Sequence, residues 1–198
     1  MTSVSMTRVS TTNASPKRNK IPPLGYALLG LLHQKPASGY DLRKIFSSTS
    51  MKTFSDSPGA IYPALSRLQK QSLIRGTVEE TAGLRQRRIF RLTAKGLAEL
   101  KQWIALPITY EEISGGQNDA LLRFAFSEQV VGPAASLALL KSLQAALQPY
   151  LQDLRKEWQF IQSVAPLSAR LAFEVGIRGS EVTLQWARSS IATYEKRK

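Results

Sequence analysis

The side chains best suited to chemistry lie in one stretch, SPGAIYPALSRLQKQSLI, residues 57–74. Set on a helix, Ile61, Leu65 and Leu68 fall on one side, while Tyr62, Ser66, Arg67, Gln69 and Lys70 fall elsewhere. The apolar side has to be buried. The rest then presents a phenol, a hydroxyl, a guanidinium and an ammonium to solvent, groups that suit phosphate oxygens and base edges. Ser57 is expected to cap this helix, with Pro58 at its first position. Gly59 and Ala60 are small enough to let the backbone approach a surface. The free N–H groups of the helix start favour an anion there. Pro63 removes only the N–H directed at Gly59, at the loose end of the helix, so it is tolerable.

A second basic cluster follows at Arg85, Arg87, Arg88 and Arg91. On a strand, Arg88, Phe90 and Leu92 share one face and Arg87, Ile89 and Arg91 the other. Arg85 and Arg87 lie nearest the turn and, with Arg88, are the candidates for a nucleic-acid backbone. A helix followed by a basic hairpin is the winged form of helix-turn-helix recognition.

Other chemistry finds little support. The chain has no cysteine and one histidine, His33. Disulfides, thiolate metal sites and cysteine nucleophiles are therefore excluded. The carboxylates are scattered, and neither a nucleophile elbow nor a phosphate loop is present. The expectation is a protein that is not an enzyme and needs no cofactor or metal.

Charge places the anion-binding part. The 198 residues carry 27 Lys and Arg against 14 Asp and Glu, a net charge of +13. Residues 1–20 hold four basic and no acidic groups, residues 21–110 thirteen basic and five acidic, and residues 111–198 ten and nine. The excess sits in the first half, as a polyanionic partner would require. No apolar run nears the roughly 18 residues of a membrane span, and the first twenty residues lack the apolar core of a secretory signal. A cytoplasmic location is expected.

The elements that must position these groups can be read from periodicity and punctuation. Residues 1–20 are rich in Ser, Thr and Asn and read as a disordered basic arm. Pro22 and Pro23 open a first helix with Leu24, Leu28, Leu31 and Leu32. Ser38 caps a second, Gly39 to about Ser47. The residue 57–74 helix is the third. A hairpin turning at Gly83 follows, then a helix capped by Thr93 and stopped by Pro107. Beyond it lie a short helix from Asp119 to Val130 and a long one in which Leu140, Leu143, Leu147, Leu151, Leu154, Trp158 and Ile161 step by three or four. Pro149 is expected to kink the long helix and Pro166 to end it. The last helix, about Ser168 to Tyr194, is apolar on more than one face, and a second chain is expected to cover part of it. Gly176 and Gly179 lie within it, where they either allow close helix contact across a dimer, the favoured reading, or merely weaken the helix.

The motifs LGYALLGLLHQKPASGYDL, SPGAIYPALSRL and RRIFRLTAKGLAEL, with NDALLRFAF and RLAFEVGIRGSEVTLQW further on, resemble the PadR family of transcriptional regulators. The likeness is to its longer members, which include virulence-gene activators, and it covers about residues 21–195. It implies a mainly α fold: a winged helix-turn-helix with a small β-hairpin wing at residues 21–106, and an antiparallel, coiled-coil-like helical dimerisation domain at 107–198. By this resemblance Tyr62, in IYPAL, belongs on the DNA face, and the C-terminal helices make a homodimer. Leu171, Val175, Val182 and Trp186 are the interface candidates. The implied function is sequence-specific DNA binding at a roughly palindromic operator, as a repressor. The alternative is a winged-helix module that binds protein. Trp103, Trp158 and Trp186 are candidates to wall a pocket for a small apolar or aromatic effector, set against ordinary packing. The wing tip TAGLRQ departs from the family in lacking a proline, and the arm has no family counterpart.

Overall fold

A computed structural model of the chain describes residues 21–49, 58–79 and 86–197. The expected Ser57 cap, the Gly83 turn, Arg85 and the basic arm lie outside the described residues.

Helix α1 (Pro23–Gln34) starts on its proline and buries Leu24, Leu28, Leu29 and Leu32. Its Gly30 lies against α6, introduced below. A Cβ there would stand 2.7 Å from the Phe126 ring. Helix α2 (Gly39–Ser48) is capped as expected. The Asp41 N–H donates to Ser38 Oγ at 3.2 Å, and the Asp41 carboxylate accepts from the Ser38 N–H at 3.2 Å and from its hydroxyl at 2.6 Å. This reciprocal box satisfies donors the helix start would leave open. A 3-10 turn, Pro58–Ala60, leads into α3 (Ile61–Lys70). The helix therefore begins three residues later than the sequence suggests, and Ala60 at its cap position makes no side-chain hydrogen bond.

The wing is part of a three-stranded antiparallel sheet in the order β1 (Ala37–Ser38), β3 (Arg87–Leu92), β2 (Ile74–Glu79). Phe90 of β3 pairs with Gly76 on one side and Ala37 on the other. The sequence led us to expect only the hairpin, because a two-residue strand has no period to read. Helix α4 (Ala94–Ala105) is capped by Thr93, whose hydroxyl accepts from the Gly96 N–H at 3.0 Å. Gly96 is a steric requirement: a Cβ would stand 2.0 Å from the Leu73 carbonyl oxygen, so α4 starts directly on the backbone that leaves α3.

Four helices follow: α5 (Tyr110–Ser114), α6 (Asn118–Val131), α7 (Pro133–Val164) and α8 (Leu167–Glu195). The five-residue α5, capped by Thr109, was not expected. Helix α7 runs continuously through Pro149. Pairing of Lys141 with Glu195 and of Arg155 with Glu181 sets α7 and α8 antiparallel. Leu28, Leu100 and Ile104 belong to the same buried cluster as Leu122, Phe126 and Leu143. The head formed by α1–α4 and the sheet is therefore seated on α6 and α7 through a continuous core. No helix among the described residues is long and apolar enough to cross a membrane.

Candidate nucleic-acid interface

Helix α3 buries Ile61, Ala64, Leu65 and Leu68, which anchor it to the head. Tyr62, Pro63, Ser66, Arg67 and Lys70 are exposed. The expected division of faces is present, and the outward face has two distinct flanks.

On the first flank a groove of about 670 Å³ runs between the start of α2, α3 and β3, and Tyr62, Ser66, Gln69, Arg87 and Arg88 line it. The Tyr62 ring lies over Gly39, where a Cβ would stand 2.7 Å from Cε1. The ring is thereby positioned while the side chain stays 51% exposed. Arg88 is held on three sides. It donates to Gln69 Oε1 at 3.1 Å and lies 5.7 Å from the centre of the Phe90 ring. Its Nε occupies space that a Cβ at Gly76 would take. Arg88 thus ties the wing to α3. Arg87 is exposed and makes no close ion pair among the described residues. Arg91, on the same strand face, donates to Thr77 Oγ1 at 3.1 Å and pairs with Glu79 at 2.8 Å, so its charge is already matched.

On the second flank, Ile21, Pro22, Arg67 and Gln71 border a smaller groove of about 340 Å³. Gly59 is exposed and Ala60 half-buried at the start of α3. Arg67 and Lys70 have no ion-pair partner among the described residues.

Two further groups border the first flank. Tyr40 is exposed in the groove wall, and the Arg43 guanidinium lies 5.8 Å from the centre of its ring. The signal was present in the sequence: Leu42 and Phe46 turn inward on α2, which leaves Tyr40, Arg43 and Lys44 outward. Gln69 was among the outward residues, but its bond to Arg88 spans two elements and could not be read. Hydrogen bonds from Ser38 hold the Asp41 carboxyl below its usual range against the opposing effect of burial, and Arg87 and Lys35 add to the lowering. His33 ends α1 with its Nε2 3.2 Å from the Gln129 carbonyl oxygen, a contact between α1 and α6.

The three tryptophans are not brought together. Trp103 stacks on Tyr26 at 4.0 Å, Trp158 on Phe173 at 5.9 Å, and Trp186 meets Phe124 edge-on at 5.4 Å. Each has a packing role within one chain. Of the four interface candidates, Leu171, Val175 and Val182 are 53%, 70% and 67% exposed, whereas Trp186 is half-buried by its own chain. Nothing lies within 4 Å of a Cβ placed at Gly176 or Gly179, so neither glycine serves a close contact within the chain.

Three helices, a three-stranded sheet with a basic β3 and a fourth helix make a winged helix-turn-helix, the class of DNA-binding head in which the third helix reads the duplex. Residues 28–102 match the transcriptional regulator PadR-like family. The negative transcriptional regulator PadR of Bacillus subtilis is 28% identical over 148 residues, 73% of this chain and 79% of that protein. The transcriptional regulator YqjI of Escherichia coli is 33% identical over 84 residues, 42% of this chain and 40% of that protein. The crystal structure of Bacillus subtilis PadR in complex with operator DNA aligns over 86% of this chain and 98% of that one, with 20% identity and a TM-score of 0.39. Residues 28–102 of the winged-helix head thus form a PadR-like transcriptional-regulator domain.

Proposed function

We propose that this regulator binds a specific duplex as a homodimer, with α3 in the major groove and the wing on the adjacent backbone. One observation carries the reading. The outward face of α3 holds Tyr62, Ser66, Arg67 and Lys70, its cations without carboxylate partners among the described residues. Arg67 and Lys70 take phosphate or base edges, Ser66 and Tyr62 supply hydroxyls, and Gly59 and Ala60 allow close approach. Arg87 meets the backbone from β3; Arg85 and Ser57, next in sequence to the described wing and helix start, are proposed to join it. Arg88 acts by holding Gln69 and the wing against α3.

The dimer follows from Leu171, Val175 and Val182. They form an exposed apolar row on α8 that a soluble monomer would leave in water. Two heads on one dimer suit a roughly palindromic site with half-sites about 34 Å apart. Val175→Asp is expected to yield a monomer by sedimentation and to weaken operator binding sharply. Repression is the sign we favour, because the Bacillus subtilis relative is a negative regulator. A small aromatic effector remains part of the proposal. Titrated phenolic compounds should move tryptophan fluorescence and DNA affinity together, and no change in either removes that class.

The test of the main reading is fluorescence anisotropy on the DNA upstream of the protein's own gene and on a scrambled duplex, across a salt series. Tight, selective, salt-sensitive binding is expected. Weak and equal binding to both duplexes would favour a protein-binding module instead.

A further inference from the structure

The bond between Arg88 and Gln69 does more than join the wing to α3: it fixes which way the Gln69 amide faces. A guanidinium carries donors and no acceptor, so the group that meets Arg88 Nη2 at 3.1 Å is the amide oxygen Oε1. The Nε2 amine of the same planar amide is thereby turned away from Arg88. The guanidinium has little freedom of its own. It lies 5.7 Å from the centre of the Phe90 ring, and its Nε stands 2.7 Å from where a Cβ on Gly76 would be. Gln69 is half-buried, and its Nε2 makes no hydrogen bond among the described residues. Tyr62, Ser66 and Gln69 recur at i, i+4 and i+7 and line one wall of the groove of about 670 Å³. The amine therefore belongs to the stripe of α3 that faces the wing side, while Arg67 borders the groove on the other flank.

A glutamine with a free amide reads adenine, its oxygen accepting from N6 and its nitrogen donating to N7. In this chain the oxygen is committed to a cation, and the free part of the amide is a pair of N–H donors. Guanine is the base whose major-groove edge sets two acceptors side by side, N7 and O6. Adenine places its own N6 donor beside N7, and sharing Oε1 with that amine would bring it against the guanidinium, donor against donor. Cytosine offers a donor, and thymine a lone O4 beside its methyl group. We infer that Gln69 is a specificity-determining residue that selects guanine at one position of each half-site, with Arg88 as the residue that positions it. The inference deepens the DNA-binding reading and rests on it. It gives β3 a part in sequence preference without a base contact of its own.

The experiment selects duplexes from a randomised pool with the native chain and then replaces each base pair of the selected site in turn. Affinities of the native chain, Gln69→Ala, Gln69→Glu and Arg88→Met are compared on this set. The native chain should show one position in each half-site where guanine is preferred to adenine by about 5-fold or more. Gln69→Ala should lose that preference and keep the others. Gln69→Glu retains an acceptor for Arg88, and with it the placement of the wing, but has no donors, so it should lose the same preference. Arg88→Met keeps an unbranched stem and donates nothing. It frees the amide, so adenine should become as acceptable as guanine at that position. A merely loosened wing would lower affinity for every duplex alike and leave the ratio unchanged. Base preferences that are the same in the native chain and both Gln69 variants overturn the inference. So does a preference for adenine that disappears with Gln69, and a guanine preference that survives Arg88→Met removes the positioning role. Failure of the DNA reading looks different: the native chain would select no duplex from the pool.

Discussion

Head and tail treat their cations in opposite ways. In the tail, Arg123 pairs with Glu112, Lys141 with Glu195, Arg155 with Glu181, Lys156 with Asp153 and Arg178 with Glu174. In the head, Arg91 with Glu79 is the ion pair found among the described residues, while Arg67, Lys70 and Arg87 stand exposed without one. Exposed pairs contribute little to stability. Their effect here is on the field. The tail cancels its own charge within a few ångströms, and the head leaves its charge available on one surface. Net charge by segment shows only the imbalance. Pairing shows which cations remain to meet a polyanion.

One tail pair differs from the rest, and it gives the largest expected effect. Arg123 is only 2% exposed. Its guanidinium donates to the Leu106 carbonyl oxygen at 2.7 Å and to both oxygens of Glu112, and it lies 6.0 Å from the centre of the Trp103 ring. Trp103 in turn stacks on Tyr26, so this arginine joins α6 to the end of α4 and, through it, to α1. Glu112→Ala leaves a buried charge without its counter-ion, a change that costs about 3–5 kcal/mol. Urea denaturation should show that loss. A shift below about 1 kcal/mol would mean that water replaces the carboxylate, and the tail would then hold no exception to its surface pairs.

The head should respond the other way round. Arg67→Ala removes an exposed, unpaired cation, so unfolding should change little. Specific DNA affinity should fall by about 1–3 kcal/mol if Arg67 reads a base edge. Equal loss on operator and scrambled duplex would assign it to phosphate. Unchanged binding together with lower stability would erase the contrast between the two regions.

These two residues also mark what could be read in advance. The division of α3 into buried and outward faces was legible, since Ile61, Leu65 and Leu68 recur at helical spacing and polar groups fill the rest. The caps at Ser38 and Thr93 were legible for the same local reason. Arg123 was not. It stands between Leu122 and Phe124 in an apolar run, and its burial depends on α4, the α4–α5 link and a five-residue helix meeting at one point. The Arg88 bond to Gln69 was hidden likewise, because strand alternation places Arg88 on a face without saying what that face meets. The two-residue β1 carries no periodic signal. Ser57 and Arg85 lie outside the described residues, so their positions beside α3 and the wing remain proposals.

The smallest effect is expected at the cap of α2, where head chemistry is local. Ser38→Ala removes the acceptor for the Asp41 N–H, a loss of about 1 kcal/mol at neutral pH. It also removes the hydroxyl donor that favours the ionised Asp41. A carboxyl whose folded pKa lies below its unfolded value near 3.9 contributes stability above that value and loses it as pH falls through the folded one. Asp41 is lowered in this sense, chiefly by the Ser38 side chain. The stability gap between the native chain and Ser38→Ala should therefore be full at neutral pH and narrow in acid below about 4. Glu111 and Asp153 are lowered as well, but both proteins share them and they cancel in the difference. Stability curves of the two proteins between neutral pH and about pH 3 measure the gap directly. A gap independent of pH would leave the hydroxyl as a neutral cap only, with Asp41 positioned by its backbone and by the cations around it.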